Sequence, residues 1–212
     1  MSIYDDISSA VQRGKKKEVK PLVQQALDEG CDPVAILNEG LVPAMSIIGD
    51  KFSAGEVFVP EMLVAARAMS AGTELLKPFL AAEGAEPLGK AVIGTVKGDM
   101  HDIGKNLVRM MIESKGFEIT DLGVDVAPEQ FVSFLQEHDD IDIVCCSALL
   151  TTTMPEIATT IKAIEEAGLR DKVKIMIGGA PVTQAFADEV GADAYTADAG
   201  AAAVKAVELI QG

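Results

Sequence analysis

The period of the hydrophobic pattern changes once along the chain, near Lys90, and this change limits the fold more than any other feature. Before it, apolar residues recur at the spacing of amphipathic helices: Ile36, Leu37, Leu41, Met45 and Ile48 in one segment, and Met62, Ala65, Ala66, Met69, Leu75 and Leu76 in another. Asp32 followed by Pro33 reads as an N-cap with proline in the first turn, and Pro60 opens the later segment. Weaker signals at Ile7 to Gln12 and Val19 to Leu27 bring the total to about four helices, which predicts a small antiparallel bundle over residues 1–86. Pro43 predicts a kink in the third helix. The breakers of AAEGAEPLG, Ala81 to Gly89, end the bundle and predict a mobile linker.

After Lys90, short apolar runs alternate with amphipathic helical segments. The runs are Ala91 to Val96, Phe117 to Leu122, Ile141 to Ser147, Val173 to Gly179 and a brief Ala192 to Thr196. Strands separated by helices imply right-handed βαβ units and a parallel sheet. Residues 87–212 are therefore expected to form an α/β domain, a Rossmann-like or flavodoxin-like five-stranded sheet with strand order 2-1-3-4-5. Aromatic residues make up only 4% of the chain and there is no Trp, which further disfavours an all-β sandwich.

In open α/β sheets ligands bind beyond the carboxyl ends of the strands, near the point where strand order reverses. For the expected order, three loops open on that edge: GDMHDIG after the first strand, SALLTTTMP after the third and GGAP after the fourth. They bring His101, the hydroxyls of Ser147, Thr151, Thr152 and Thr153, and Gly178 with Gly179 to one place. The chain has two histidines, and His101 sits between Asp99 and Asp102.

As a general base, His101 would need a nucleophile and an oxyanion hole, yet there is no Gly-x-Ser-x-Gly elbow, and Cys145 and Cys146 fall inside an apolar run. As a zinc ligand it would need companions, but His138 lies in a polar helix-end segment and no Cys-x-x-Cys spacing occurs. A single imidazole suits one axial bond to a metal already held by a macrocycle, with Asp99 accepting from the other ring nitrogen. Read by itself, Asp102 is a solvated acid in the first turn of a helix.

The ordered motifs Asp99-x-His101-x-x-Gly104, then Ser147-x-Leu149 with Thr151 and Thr153, then Gly178-Gly179, resemble the cobalamin-binding domains of the base-off/His-on type. The preceding GEVFVPEML, Gly55 to Leu63, resembles the helical cap that accompanies this domain in methionine synthase and in the corrinoid proteins of methanol, methylamine and methoxy-compound methyltransferase systems. The resemblance implies that His101 replaces the cofactor's dimethylbenzimidazole as the lower ligand of cobalt, with Asp99 and Thr153 as a proton relay behind it. The cofactor would cycle between methylcobalamin and a Co(I) corrinoid. Met100, Asp102, Ile103 and Gly104 would lie against it beside His101. Gly94, Ser147, Ala148, Leu149, Thr151, Gly178 and Gly179 would line the slot for the displaced nucleotide tail, with the helix that begins at Gly104 facing phosphate. Phe58 and Met62 would cover the methyl-bearing face.

What the resemblance implies about function is a methyl carrier without a catalytic barrel of its own. Its expected partners are a substrate-specific methyltransferase, a second methyltransferase acting on tetrahydrofolate or a thiol, and a reductive activator. The rival from the same resemblance is a B12-dependent sensor, which would be expected to carry a DNA-binding segment. A formal charge of -15 repels phosphate backbones and anionic lipids, so neither nucleic acid nor membrane is an expected partner. Three cysteines, two of them adjacent, form no disulfide framework, and no apolar signal or spanning segment is present, so a cytoplasmic location is expected.

Overall fold

The computed structural model describes residues 2–82 and 86–211. Its contacts divide the chain into a helical unit, Met1–Pro87 with Ser114–Gly116, and a sheet unit, Leu88–Glu113 with Phe117–Gly212. Of the expected linker, Glu83, Gly84 and Ala85 lie outside the described residues.

The helical unit begins with α1 (Ile3–Gln12), opened by a capping box in which Ser2 and Asp5 satisfy each other's free backbone N–H groups. Helix α2 (Lys16–Asp28) follows, and then α3 (Pro33–Ala35), whose Asp32 cap accepts from Val34 N at 2.9 Å, as the Asp-Pro pair predicts. Helical backbone continues through a π-helical turn (Ile36–Leu41) into α4 (Val42–Ser53), and α5 (Val59–Ala82) completes the unit. The disturbance expected at Pro43 takes the form of that π turn. A proline ring crowds the carbonyl four residues back and donates no hydrogen bond, and a wider turn placed just before it removes the conflict. Ile7, Val11, Val19, Val23, Leu41, Met45, Met69 and Leu76 are buried. Gly72 has no room for a side chain, since a Cβ there would come within 3.0 Å of both Leu41 and Val19.

In the sheet unit, β1 (Lys90–Val96), β2 (Glu118–Val126), β3 (Ile143–Ser147), β4 (Lys174–Gly178) and β5 (Ala194–Tyr195) form one sheet in the order β2-β1-β3-β4-β5, every pair parallel. This is the order expected from the alternation of strand and helix signals. Between the strands run α6 (Ile103–Glu113), α7 (Pro128–Glu137), α8 (Met154–Glu166) and α9 (Gln184–Val190), and α10 (Ala199–Gln211) closes the unit. On one face Val92, Val96, Val144, Cys146, Ile175 and Ile177 pack with Phe131 and Leu135 of α7 and Ile157, Ile161 and Ile164 of α8. Because side chains alternate along a strand, Ile93, Ile143, Cys145 and Met176 belong to the opposite face.

Strand β2 runs four residues beyond the Leu122 expected from the sequence, and its pairing with β1 slips twice. Ile93 faces Asp121, Gly94 faces Gly123 and Val96 faces Val126, so β2 gains one residue at each slip. Such bulges bend a strand and re-aim its side chains.

Cys145 and Cys146 are buried, and burial alone pushes the Cys145 thiol up to about 12 and raises Cys146 as well. Cys31 is partly exposed. A thiolate reagent is therefore expected to titrate only Cys31 in the native protein, and all three thiols after denaturation. Rapid native labelling of the β3 pair would contradict this packing. Among the described residues, no helix is long and apolar enough to cross a membrane.

Candidate functional site

The first two residues after β1, Lys97 and Gly98, form a tight turn. Asp99 N donates back to Val96 O at 3.1 Å, and Gly98 takes a φ of 80°, which glycine adopts without strain. The turn directs Asp99 inward, where it is fully buried, while half of the His101 side chain remains exposed (0% and 50%). A buried carboxylate is tolerated only when its lone pairs are satisfied. Asp99 Oδ1 lies 2.7 Å from His101 Nδ1 and accepts from His101 N at 3.1 Å. Its Oδ2 accepts from Thr153 Oγ1 at 2.7 Å, Leu149 N at 2.8 Å and Leu150 N at 3.3 Å. Thr153 Oγ1 also lies 3.0 Å from Leu150 O, but its single proton favours the shorter contact to the charged oxygen.

Burial on its own pushes the Asp99 carboxyl up. The hydrogen bonds from Leu149 N, Thr153 and His101 outweigh it and hold the group well below the usual carboxylate range. Asp99 is therefore ionised at neutral pH and can only accept. The proton between Asp99 and Nδ1 then belongs to the ring, and in the neutral imidazole Nε2 carries the lone pair. One residue of the loop thus fixes the tautomer of another and leaves a single aromatic nitrogen donor on a half-exposed ring. A further support, not read from the sequence, is Thr95. It is buried within β1 and donates from Oγ1 to His101 O at 2.8 Å. Its signal was a hydroxyl inside the otherwise apolar AVIGTV.

The other expected residues fall into distinct places. Met100, Ile103 and Leu149, with Leu150 beside them, are exposed large apolar side chains on the loops around His101. Asp102 is exposed just before α6 and accepts from Asn106 Nδ2 at 3.2 Å, while Thr151 is exposed in the loop after β3. Gly104, in the first turn of α6, would place a Cβ in open space. Ser147 pairs across the sheet with Gly178 on one side and Thr95 on the other, forming a row of small residues at the carboxyl edge. Gly94 does not join that row. It lies on the opposite face, where a Cβ would meet Phe131 at 2.7 Å, so packing by itself requires glycine there. Gly179 has a φ of 134°, and a Cβ there would stand 1.8 Å from Ala148 O.

In the helical unit, Phe58 is 68% exposed and precedes α5, its backbone N–H donating to Glu61 Oε2 at 2.9 Å. It does not act as a staple inside the bundle. Met62, one turn on, is buried at 1% exposure.

Among the described residues, no group of three or more His, Cys, Asp or Glu side chains converges as a metal cage. One imidazole donor ringed by exposed apolar side chains, with open backbone at Gly104, suits a metal that brings its own equatorial ligands in a large flat ring.

The comparisons agree with this donor set. A B12 binding domain family matches residues 89–208, and a second family of the same description matches residues 3–77. The chain is 43% identical to dimethylamine corrinoid protein 1 of Methanosarcina acetivorans, over 98% of this chain and 97% of that protein. It is 46% identical to trimethylamine corrinoid protein 2 of the same organism, over 88% and 85%. Its structure superposes on a chain of the methanol:cobalamin methyltransferase complex MtaBC from Methanosarcina barkeri with a TM-score of 0.87, at 29% identity, covering 99% of this chain and 80% of that one. A cobalamin-binding protein from Desulfitobacterium hafniense gives 0.80 at 30% identity, covering 100% and 98%. With both of its units matched in this way, the chain belongs to the B12-binding family, among the corrinoid proteins.

Proposed function

We propose that this chain is a corrinoid methyl carrier, binding cobalamin with His101 Nε2 as the lower cobalt ligand and passing a methyl group from a substrate-specific methyltransferase to a second methyltransferase acting on tetrahydrofolate or a thiol. The observation that carries the reading is the hydrogen-bonded pair of buried, ionised Asp99 and half-exposed His101, 2.7 Å apart. When bound, the cofactor supplies a cobalt centre able to accept a methyl group and give it up.

The chain's own residues do the rest. Asp99 holds the Nδ1 proton and so keeps Nε2 a donor, and Thr153 holds Asp99. A proton entering or leaving this relay changes how strongly the imidazole donates. Met100, Ile103, Leu149 and Leu150 exclude water around the ring and match an apolar macrocycle face. The row of Thr95, Ser147 and Gly178, with Thr151 and Gly179 in the adjoining loops, offers small and hydroxylated surface for the nucleotide tail. Gly104 lets that ligand approach the first turn of α6, where free backbone N–H groups favour phosphate. Phe58, open to solvent, is the side chain suited to shield the methyl-bearing face, whereas the burial of Met62 suits a core role.

Support for the partners comes from the relatives, whose names assign them to dimethylamine and trimethylamine systems, and from the complex in which the methanol relative was crystallised. A reductive activator is the third partner, since a cobalt centre that must be strongly reducing needs rescue after stray oxidation. The function is tested by reconstituting the chain with cobalamin and supplying methylated amines or methanol with the matching methyltransferase. Methylation of the bound corrinoid is expected. His101→Ala is expected to move the visible spectrum to the base-off form and to slow transfer, with the unfolding midpoint nearly unchanged because the ring is half exposed. An unaltered spectrum would remove the axial role.

A further inference from the structure

We propose that Asp125 is a positioning residue for the His101 loop. It clamps the turn that aims Asp99, and through Asp99 the imidazole. The inference rests on the reading of His101 as a ligand. Among the described residues Asp125 is the one non-glycine with positive φ, at 55°. Backbone held in that region costs energy and persists where the surroundings enforce it. Here the enforcement is visible. The two slips in β2 carry Asp125 out of ladder register, and the first is braced by Asp121 Oδ1 accepting from Gly123 N at 2.9 Å.

From that position Asp125 makes two bonds to the loop after β1. Its backbone N–H donates to Asp99 O at 2.9 Å, and its Oδ1 accepts from Gly98 N at 2.7 Å. The Val96–Asp99 turn uses the N–H of Asp99 for its own closure and leaves that of Gly98 outside the turn, which is the donor that Asp125 takes. The peptide groups on both sides of the Gly98–Asp99 step are thus tied to a neighbouring strand. An extended conformation at Asp125 would turn both groups away. Aspartate suits the place because short polar side chains tolerate this backbone region and reach nearby amides.

The test compares Asp125→Ala, Asp125→Asn and Asp125→Gly in two measurements. One is the ratio of His-on to base-off cobalamin read from the visible spectrum of the loaded protein. The other is amide exchange of Gly98 in the cofactor-free protein, normalised to the core amide of Val144. With alanine, the His-on ratio is expected to fall roughly three- to tenfold and Gly98 exchange to rise by a similar factor, the scale of one hydrogen bond. Asparagine keeps the acceptor and tolerates the conformation, so it should restore both. Glycine relieves φ but lacks the acceptor, so Gly98 exchange should stay fast.

Parent values in Asp125→Ala would overturn the clamp, as would asparagine behaving like alanine or glycine behaving like the parent. If the parent chain instead binds cobalamin through the cofactor's own base, the ligand reading fails, and Gly98 exchange in the cofactor-free protein judges the clamp by itself.

Discussion

Asp99→Ala should lower the unfolding midpoint of the sheet unit by roughly 10 °C, from a loss of about 3–5 kcal/mol, the range found when one partner of a buried charged network is removed. The size follows from what is left behind. Leu149 N, Leu150 N and Thr153 Oγ1 all point at a carboxylate oxygen that would be gone, and water reaches this buried position poorly. Asp99→Asn retains one acceptor oxygen and should recover part of the loss. Both variants should also release the His101 ring from its fixed tautomer.

The pH dependence has a definite sign. The folded-state pKa of Asp99 is depressed below its ordinary 3.8, so its contribution is fully present above that value and is lost as pH falls through the depressed one. The stability gap between the parent and Asp99→Asn is therefore expected to be flat from about pH 5 to 8 and to close in stronger acid. A gap that widened on acidification would contradict the assignment of the charge.

Gly179→Ala is the second large effect, expected at about 3–5 kcal/mol, because overpacking and an unfavourable backbone each contribute roughly 1–3 kcal/mol. The added Cβ would stand 1.8 Å from Ala148 O, and the obstacle is backbone, which cannot swing aside as a flexible side chain can. Ala148 N donates to Gly178 O at 3.1 Å across the same junction. Any relief moves the start of the loop that brings Leu149 N to Asp99, so the loss should reach the His101 pair as well. Gly178→Ala is the control. Its Cβ meets nothing closer than Thr196 O at 3.8 Å, so thermal unfolding should change by less than about 1 kcal/mol, while cobalamin affinity falls if the tail lies along that row. Equal destabilisation by the two substitutions would show that the crossing at Ala148 is not the constraint.

The strand order was legible because five short apolar runs separated by helical segments leave few allowed parallel topologies. The Asp-x-His spacing was legible because an acceptor two residues from an imidazole can reach it only when the backbone turns sharply between them, and Gly98 allows that turn. The face of β1 was not legible. Six successive residues of that strand are buried, so no alternation marks which side chain looks which way. Gly94 and Thr95 exchange expected places for this reason, one packed under Phe131 and the other beneath His101. The bulges of β2 were hidden as well, since a bulge depends on pairing with another strand, and Asp125 looked like an ordinary polar residue near a strand end. In the helical unit, periodicity located the helices but could not separate an exposed Phe58 from a buried Met62 one turn away.

The central claim is that a protein imidazole, and not the cofactor's own base, is the lower ligand of cobalt. Paramagnetic resonance of the Co(II) form tests it most directly, using protein grown with 15N-histidine and unlabelled cobalamin. The account predicts that the nitrogen superhyperfine splitting changes from a triplet to a doublet on labelling, and that the doublet is lost in His101→Ala but kept in His138→Ala. A triplet that persists in the labelled protein would contradict it.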